Sequence, residues 1–303
     1  MVKIFNKDLR TFPLLCAIRT VLHAVMRIAK CCASCIAICA AVCALSSCNI
    51  DLLGIFISTD LDERLESRHI FNFLTNDDFN ITLPDTYSFI VLSDTHIEDG
   101  NMYGLENMTE IITEKAANNA LKFVVILGDI TQHGSYNDIR KFIEFAQTLS
   151  VPCYPVIGNH DIYFGNWPIW KENIGSTSYK VSLNNTTLFI LDSANSFIGA
   201  KQLDWLESEL KNTSGRIFVY THCPLFATNP VNVKQLNDTS ERARIVSMLV
   251  NRCDMMFMGH SHQRNVSEAG NVTYINIEDF KKNKTYCFVT VTETSISYVF
   301  ESL

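Results

Sequence analysis

The sequence has no internal repeat and no low-complexity tract. Of its 303 residues, 47% are apolar, which is enough for one sizeable domain with a hydrophobic core or at most two small ones. This composition does not fit an intrinsically disordered or a fibrous protein. The function must therefore be sought in a folded, globular body.

Positive charge is scarce in most of the chain. The formal net charge is −7, yet residues 1–47 carry six basic residues against the single Asp8, so the rest of the chain has a net charge of about −12. Affinity for nucleic acids depends largely on Lys and Arg side chains that neutralise phosphates. The acidic body therefore argues against a nucleic-acid partner.

Cysteine is also scarce outside the N-terminal region. Seven of the eleven cysteines precede residue 50, and the run CCASCIAIC among them has Ala and Ile as spacers, apart from Ser34, and no His partner, which does not fit a metal cluster. The other four are too widely spaced for a disulfide to be argued from sequence. We expect them to be buried free thiols. They are Cys153, Cys223, Cys253 and Cys287.

The N-terminal region has the pattern of a secretory signal. A basic segment, MRIAK from Met26, precedes an uncharged apolar run that ends in the small residues ALSSC. The segment LSSC, residues 45–48, resembles the lipobox of bacterial lipoproteins, in which cleavage precedes a cysteine that receives a lipid. We expect residues 1–47 to be the signal peptide, with Met26 as an alternative start, and Cys48 to be lipidated.

An uncleaved membrane anchor is the alternative, because apolar character continues as far as Ile57 and a membrane span needs about 20 such residues. In either case, the body is expected to be exported and to stay at a membrane, on the periplasmic or cell-surface side. Residues 48–84 are predicted to be a lipidated tether with a short helix, in which Asp60 caps and Glu63 follows three residues later. Residues 85–303 are predicted to form the main domain.

In this domain, apolar runs alternate with helical patterns such as LENMTEIITEKAANNAL and KQLDWLESELK. Continuous apolar strands with helical crossovers favour an α/β sheet that is buried on both faces. Three closely spaced segments from residue 271 to the C-terminus predict an antiparallel meander. The strands predicted before this tail are residues 88–93, 121–127, 151–157, 186–192, 216–221 and 255–259.

Carboxylates, imidazoles and an amide follow five of these strands, where α/β sheets bind ligands. The set is Asp94 and His96, then Asp129, then Asn159, His160 and Asp161, then His222, and finally His260 and His262. Imidazoles and oxygen donors without thiolates favour Mn, Fe or Zn. Two such ions about 3.5–4 Å apart need a bridging carboxylate, for which Asp129 is well placed. Gly128, Gly158 and Gly259 are expected to let the backbone turn sharply after its strands.

Together and in this order, these blocks resemble the five motifs of the calcineurin-like metallophosphoesterases, over residues 88 to about 278. The resemblance implies a four-layer α/β/β/α sandwich and two divalent or trivalent metal ions. It implies that one ion is held by Asp94, His96 and His262, and the other by Asn159, His222 and His260, with Asp129 between them. His160, oriented by Asp161, would stand over the leaving group.

Within the family, GDITQHGSYNDIRKF resembles a region of the class III cyclic-nucleotide phosphodiesterases, whereas Gln132 stands where purple acid phosphatases have a tyrosine. The resemblance implies hydrolysis of a small phosphate ester, with a diester favoured, by a metal-bridging hydroxide and with His160 as general acid. The alternatives are a phosphomonoesterase or a nuclease on the same fold, and a non-catalytic surface lipoprotein.

Several aromatic residues after the third strand, and His133 in a nearby loop, leave two interpretations open. Their rings could form a wall of the substrate pocket by stacking on a base or ring, or they could pack in the core or lie on the surface. The aromatic residues are Tyr163, Phe164, Trp167 and Trp170.

The lipobox prediction can be tested at Cys48. We expect the full chain, expressed in bacteria and labelled with radioactive palmitate, to incorporate the label. Cys48→Ser should lose the label because the acceptor thiol is gone. Cys43→Ser, within the predicted signal peptide, should keep it. Labelling of Cys48→Ser, or a mature protein that retains residues 1–47, would contradict the prediction.

Overall fold

The computed structural model of the chain describes residue 57 and residues 59–118, 121–226 and 234–303. The predicted signal peptide and lipidation site, residues 1–48, lie outside the described residues. Within the described ranges, no helix is both long enough and apolar enough to span a membrane.

The described strands form two sheets. The first sheet has the order β11-β10-β1-β2-β3 and the second has the order β4-β5-β6-β7-β9-β8. The strands are β1 Tyr87–Leu92, β2 Leu121–Leu127, β3 Cys153–Val156, β4 Tyr179–Leu183, β5 Thr186–Leu191, β6 Arg216–Thr221, β7 Met255–Met258, β8 Asn265–Ala269, β9 Val272–Asn276, β10 Thr285–Val291 and β11 Ile296–Ser302.

The centre of each sheet is parallel. β1 pairs with β2 and β2 with β3 in the first sheet, while β5, β6, β7 and β9 are parallel neighbours in the second. Parallel neighbours require crossover connections, which contain helices except between β7 and β9, where the chain passes through β8. The helices are Leu61–Leu65, Met108–Ala117, Tyr136–Thr148, Trp167–Asn173, Ala200–Lys211, Thr239–Leu249 and Phe280–Asn283.

Three hydrophobic clusters divide the molecule into layers. One packs the first sheet against Met108–Ala117, Tyr136–Thr148 and Trp167–Asn173. A second lies between the two sheets, and a third packs the second sheet against Ala200–Lys211 and Thr239–Leu249. The fold is therefore the predicted four-layer α/β/β/α sandwich.

Both faces of the central strands are covered, which explains why their sequences are continuously apolar. Along β1, Ile90 faces the helices and its neighbour Phe89 faces the second sheet. The Phe89 ring stacks on Phe123 at 4.8 Å and meets the edges of Phe218 and Phe257 at 5.0 and 5.8 Å. Aromatic rings from both sheets thus interlock in the middle of the sandwich.

The prediction of a three-strand meander at the C-terminus is wrong. β10 and β11 are antiparallel neighbours in the first sheet, as expected, but β9 lies in the second sheet beside β7. The helix Phe280–Asn283 carries the chain from one sheet to the other. Two strands were not predicted from sequence, and both lie on the outer edges of the second sheet: β4 alternates buried and exposed residues, and β8 alternates partly buried and exposed residues.

The four widely spaced cysteines are buried and free, as predicted. Burial raises the pKa of the Cys223 thiol to about 12 and that of the Cys287 thiol to about 12. These thiols are therefore protonated near neutral pH and behave as small apolar side chains.

The segment before β1 packs on the body of the protein. Its predicted short helix is present as Leu61–Leu65, and the N-cap Asp60 accepts a 2.8 Å hydrogen bond from Glu63 N. Further along, Leu74 and Leu83 contribute to the core between the sheets. The boundary at residue 85 remains a prediction from sequence, but part of the predicted tether is thus built into the fold.

A fully buried arginine fastens this segment to the end of β5. Arg64 donates from Nε and Nη2 to the two carboxylate oxygens of Asp192, at 2.7 and 2.9 Å. Its guanidinium also donates to Thr59 O at 3.0 Å and to Asn195 Oδ1 at 2.7 Å. Such two-pronged geometry satisfies both charges, which would otherwise be costly to bury.

We expect Arg64→Met to destabilise the protein by about 3–5 kcal/mol, because it leaves the buried Asp192 carboxylate without its partner. The free energy of unfolding from urea titration measures this change. Lys201→Met is the matched control and should leave stability unchanged. Lys201 forms an exposed ion pair, at 2.8 Å, with Asp62, which lies in the same short helix as Arg64. Equal stabilities for Arg64→Met and the wild type would contradict the expectation.

Candidate metal centre

The candidate metal centre lies where the two sheets meet at the carboxyl ends of their parallel strands. Two hydrogen bonds join the sheets there: His260 N donates to Asp94 Oδ2 at 3.0 Å, and His222 Nδ1 donates to Leu127 O at 2.7 Å. The structure brings all of the predicted site residues to this junction: Asp94, His96, Asp129, Asn159, His160, Asp161, His222, His260 and His262.

One group of side chains suited to a cation consists of Asp94, His96, Asp129 and His262, whose ligand atoms lie within 4.8 Å of one another. His262 Nε2 is 3.2 Å from Asp94 Oδ1. His96 Nε2 is 3.9 Å from both Asp94 Oδ1 and Asp129 Oδ2. The first predicted ligand set is therefore assembled, and Asp129 joins it.

The second group consists of Asp129, His222 and His260, again with ligand atoms within 4.8 Å of one another. His222 Nε2 lies 3.3 Å from Asp129 Oδ2 and 3.0 Å from His260 Nδ1. Asn159 Oδ1 is 3.1 Å from the same His222 nitrogen, while Asn159 Nδ2 donates to the hydroxyl of Tyr163. Tyr163 thus turns the amide so that its oxygen faces the imidazoles.

Several buried polar atoms of this centre have no hydrogen-bond partner among the described residues. They are Asp94 Oδ1 and both ring nitrogens of His96. Buried polar atoms are rarely left in this state, and a site for a bound ion is one of the few explanations. Carboxylate and imidazole donors suit Mn, Fe or Zn. The residues therefore fit a metal ion at the first group, and Asp129 makes the second group contiguous with it.

The pKa values of two imidazoles in the site, those of His96 and His260, favour the neutral form that binds a cation. Burial lowers the pKa of His96 to about 4 and, with the adjacent His222, lowers the pKa of His260 to about 3. Both rings are neutral near pH 7 and keep a free lone pair. Burial opposes the charge of His222 as well, but the Asp129 carboxylate outweighs it and raises the pKa of His222 to about 9. A cation bound there must displace that proton.

The backbone is strained at the residues that carry the ligand atoms. Residues other than glycine rarely adopt a left-handed φ, which costs about 1–3 kcal/mol where the surroundings impose it. Five of the predicted ligand residues have this conformation. Their φ values are 55° at Asp94, 47° at His96, 47° at Asp129, 63° at His260 and 56° at His262. Strain concentrated in this way indicates a site selected for function.

The three glycines predicted to allow sharp turns meet two different constraints. Gly128 has a φ of 78°, which suits the expected sharp turn. Gly158 and Gly259 do not have a positive φ, and the space around them is the constraint. A Cβ on Gly158 would lie 2.1 Å from Asp129 N, and one on Gly259 would lie 1.9 Å from the hydroxyl oxygen of Ser93. These positions need glycine because neighbouring strand ends approach too closely for a side chain.

His160 lies beside the metal ligands and is held by different partners from those predicted. Its Nδ1 donates to Gln132 O at 2.8 Å, and its backbone N donates to Asp129 Oδ1 at 2.9 Å. Since the carbonyl can only accept, Nδ1 carries a proton and Nε2 is left for chemistry. That nitrogen is 3.9 Å from Asp129 Oδ2.

The predicted pairing of Asp161 with the His160 ring is not the arrangement in the structure. The Asp161 carboxylate accepts hydrogen bonds from Thr131 N at 2.8 Å, Thr131 Oγ1 at 3.1 Å and Gly158 N at 2.9 Å. It therefore ties together the turns after β2 and β3. Burial and the neighbouring Asp129 carboxylate raise the pKa of Asp161 to about 7.

Two positioning residues were missed in the sequence. Thr131 holds Asp161 through two hydrogen bonds, and Gln132 holds His160 through its backbone carbonyl. Nothing in the residue type signals the Gln132 contact, because any residue provides a carbonyl. Thr131 could have been suspected, since it follows Asp129 in the loop that faces the next strand end.

Comparisons with known proteins agree with this geometry. The family model described as calcineurin-like phosphoesterase matches residues 87–264. A protein of Fibrobacter succinogenes named "probable cyclic nucleotide phosphodiesterase" is 25% identical over 141 residues, which is 44% of this chain and 55% of that protein. The matched part of this chain thus spans just over half the length of that relative. One of the same name from Colwellia psychrerythraea is 20% identical over 243 residues, 72% of this chain and 87% of that protein.

Among solved structures, a dimetal phosphatase from Danio rerio superposes with a TM-score of 0.58. The superposition covers 71% of this chain and 96% of that structure at 14% sequence identity. At this identity, the likeness concerns the fold alone.

We expect Asp94→Asn to bind metal at least about tenfold more weakly than the wild type, because the charged ligand oxygen is gone. Removal of a group that only hydrogen-bonds to a metal ligand already weakens binding by about 10–100-fold. Mn²⁺ should raise the melting temperature of the chelator-treated wild type and have little effect on the variant. Asp138→Asn is the control: Asp138 is a buried carboxylate that accepts from Ser135 Oγ at 2.6 Å, outside the centre. A normal Mn²⁺ shift in Asp94→Asn would contradict the assignment.

Proposed function

The chain belongs to the calcineurin-like phosphoesterase family, and on that premise we propose that it hydrolyses small phosphodiesters. It is a metal-dependent phosphoesterase. One observation carries the proposal: carboxylates and imidazoles from five strand ends converge around buried Asp94 and His96 atoms that lack hydrogen-bond partners among the described residues.

We propose that the two groups of side chains hold two metal ions of Mn, Fe or Zn. One ion would be held by Asp94, His96 and His262, the other by Asn159, His222 and His260, with Asp129 shared. When bound, such ions stabilise the negative charge of a phosphate and lower the pKa of a water molecule. Asp129 belongs to both groups, and its Oδ2 lies 3.3 Å from His222 Nε2 of the second group, which supports a shared carboxylate.

His160 is proposed to donate a proton to the departing alkoxide. Its Nδ1–H is held by Gln132 O, so a proton delivered to the substrate must come from Nε2. The side chain is 24% exposed, in contrast to the nearly fully buried Asp129 beside it, so Nε2 can reach a substrate that approaches from solvent. A general acid of this kind contributes typically 10²–10⁴-fold to the rate.

Asp161 is proposed to act on the geometry of this step and not on the proton. Its carboxylate holds Gly158 N and the Thr131 side chain, and these turns carry Asn159, His160 and Gln132. Asp161 thereby keeps the turn that carries His160 close to the turn that carries Gln132, without touching the imidazole of His160. This role replaces the orientation of the His160 ring that the resemblance implied.

A diester is favoured over a monoester because the two relatives above are named as probable cyclic nucleotide phosphodiesterases, although at 25% and 20% identity. The acidic body, with a net charge of about −12 beyond residue 47, supports a small substrate over a nucleic acid. Export as a lipoprotein, with a signal peptide of residues 1–47 and a lipid on Cys48, is also proposed. Its support is the sequence pattern of the N-terminal region.

The experiment that tests the proposed reaction uses chelator-treated protein reloaded with Mn²⁺. We expect it to hydrolyse bis-p-nitrophenyl phosphate faster than mono-p-nitrophenyl phosphate, and to lose both activities without metal. A preference for the monoester would instead identify a phosphomonoesterase. No turnover with Mn²⁺, Fe²⁺ or Zn²⁺ would exclude the proposed reaction.

We expect His160→Ala to keep its metal content but to lose about 10²–10⁴-fold in kcat. The loss should be greater for a diester with a poor, alkyl leaving group than for p-nitrophenolate, which departs without a proton. Metal analysis and rates for both substrates measure these effects. His69→Ala, at an exposed histidine outside the centre, is the control. If His160→Ala loses a metal ion, or is affected equally for both leaving groups, His160 is not the general acid.

A further inference from the structure

A lysine beside the candidate metal centre connects two parts of the site that have to stay in register. Lys281 lies in the short helix Phe280–Asn283, which carries the chain from the second sheet to the first. It is not a member of either group of side chains suited to a cation. Its backbone and its side chain nevertheless contact different turns of the site, and the proposed reaction gives them no role.

The backbone of this helix is fixed to the turn after β1, which carries the predicted ligand Asp94. Phe280 N donates to Ser93 O at 2.8 Å, and Lys281 N donates to Asp94 O at 3.1 Å. Ser93 and Asp94 are both fully buried, so these hydrogen bonds are shielded from water. The main chain of Lys281 is therefore held in place relative to the metal centre.

The side chain of Lys281 extends to the loop after β2. Its Nζ donates to Gln132 Oε1 at 3.2 Å and to Glu98 Oε2 at 3.3 Å. The ammonium group also lies 4.3 Å from the centre of the Tyr103 ring, whose hydroxyl donates to the same Glu98 oxygen at 2.9 Å. An amide oxygen, a carboxylate and an aromatic ring thus fix the ammonium group in one place.

Gln132 is the residue through which these contacts reach His160. Its backbone N donates to Ile97 O at 2.8 Å, and its side chain accepts from Lys281. Its backbone O accepts a 2.8 Å hydrogen bond from His160 Nδ1. The direction of this carbonyl helps to set the orientation of the imidazole, because a donor N–H aligns with the lone pairs of its acceptor. Lys281 therefore holds a residue that orients the proposed general acid.

The contacts of Lys281 matter more for geometry than for the stability of the fold. The Lys281 and Glu98 side chains are 29% and 34% exposed, and ion pairs of this kind contribute little to stability. In contrast, a displacement of about 1 Å in a catalytic group can lower a rate by about 10²-fold. Removal of the ammonium group should therefore affect the rate more than the melting temperature.

We propose that Lys281 is a positioning residue for proton transfer by His160. It acts through Gln132, and it keeps the imidazole in register with the turn that carries Asp94. In the transfer step the Nε2–H bond of His160 breaks as the O–H bond of the departing alcohol forms, and Lys281 takes no part in either bond. This inference rests on the proposed function, because it takes His160 as the general acid.

The test uses the Mn²⁺-loaded full-length protein and two diesters that differ in the leaving group. Diphenyl phosphate releases a phenol that is more basic than p-nitrophenol, so its departure depends more on a donated proton. We expect Lys281→Met to lower kcat for diphenyl phosphate by about tenfold, which is part of the roughly 10²–10⁴-fold that a general acid contributes. The loss for bis-p-nitrophenyl phosphate should be smaller, and KM and metal content should stay at wild-type values.

Two matched variants separate the loss of this contact from the loss of any lysine. Lys281→Arg keeps a charged donor and should retain most of the rate. Lys115→Met is the control, because Lys115 is also a partly exposed lysine that pairs with a glutamate, Glu301, at 2.9 Å. It likewise lies over an aromatic ring, that of Phe288, at 4.2 Å. Lys115→Met should hydrolyse both diesters like the wild type.

Double substitutions identify the group through which Lys281 acts. Gln132→Met removes the acceptor of the Lys281 side chain but keeps the carbonyl that binds His160, so it should reproduce the effect of Lys281→Met. The two changes break the same link, and the double variant should be no slower than either single variant. In the His160→Ala background, Lys281→Met should cause no further loss, because no imidazole is left to position.

Three results would overturn the inference. An equal loss for the two diesters would show that Lys281 supports the fold or the metal ions. A loss of the same size in the His160→Ala background would show that Lys281 acts on the substrate directly. Wild-type rates in Lys281→Met would show that the contact has no effect on the reaction.

The wild type and His160→Ala, measured alongside, distinguish the two possible failures. If the wild type hydrolyses both diesters and His160→Ala is slowed more for diphenyl phosphate, the proposed function holds and a failure concerns Lys281 alone. If the wild type hydrolyses neither diester with any of the metals, or His160→Ala is slowed equally for both, the proposed mechanism fails and the inference fails with it.

Discussion

Two buried carboxylates at the junction of the sheets, Asp94 and Asp129, constrain the rest of the centre. They are 0% and 1% exposed, and burying two like charges side by side is expensive unless donors or cations surround them. Backbone N–H groups of His260 and His160 supply part of the compensation, and the His222 imidazole supplies more. Burial alone would raise the pKa of both carboxyl groups, yet the imidazoles of His262 and His222 lower the pKa of Asp94 to about 2.

This compensation requires strand ends to approach one another more closely than side chains allow. Gly158 and Gly259 provide the space, and left-handed turns at the ligand residues aim the donors inward. The backbone strain at the ligand residues costs free energy that packing in the rest of the fold must offset. The three hydrophobic clusters, including the interlocked aromatic rings between the sheets, supply that packing. The buried pair of Arg64 and Asp192 extends that support to the segment before β1.

Local signals in the sequence were enough to predict an α/β sheet covered on both faces and the membership of the site, whereas the four-layer arrangement was implied only by the family resemblance. Continuous apolar runs indicate strands covered on both faces, and residues directly after parallel strands share one edge. β4 and β8 escaped notice because they are edge strands with mixed burial, and the place of β9 could not be read because adjacency along the chain does not decide which sheet a strand joins.

The sequence by itself determined which residues form the candidate metal centre, because Asp94, Asp129, Asn159 and the histidines directly follow predicted strands. Only the tertiary structure decided what holds each of them. Gln132 holds His160 through a backbone carbonyl, and Asp161 binds turns and not a ring. Phe164 is exposed whereas Trp170, six residues later, is in the core. These outcomes depend on the directions of loops that approach from different strands, and residue types at a given spacing do not encode those directions.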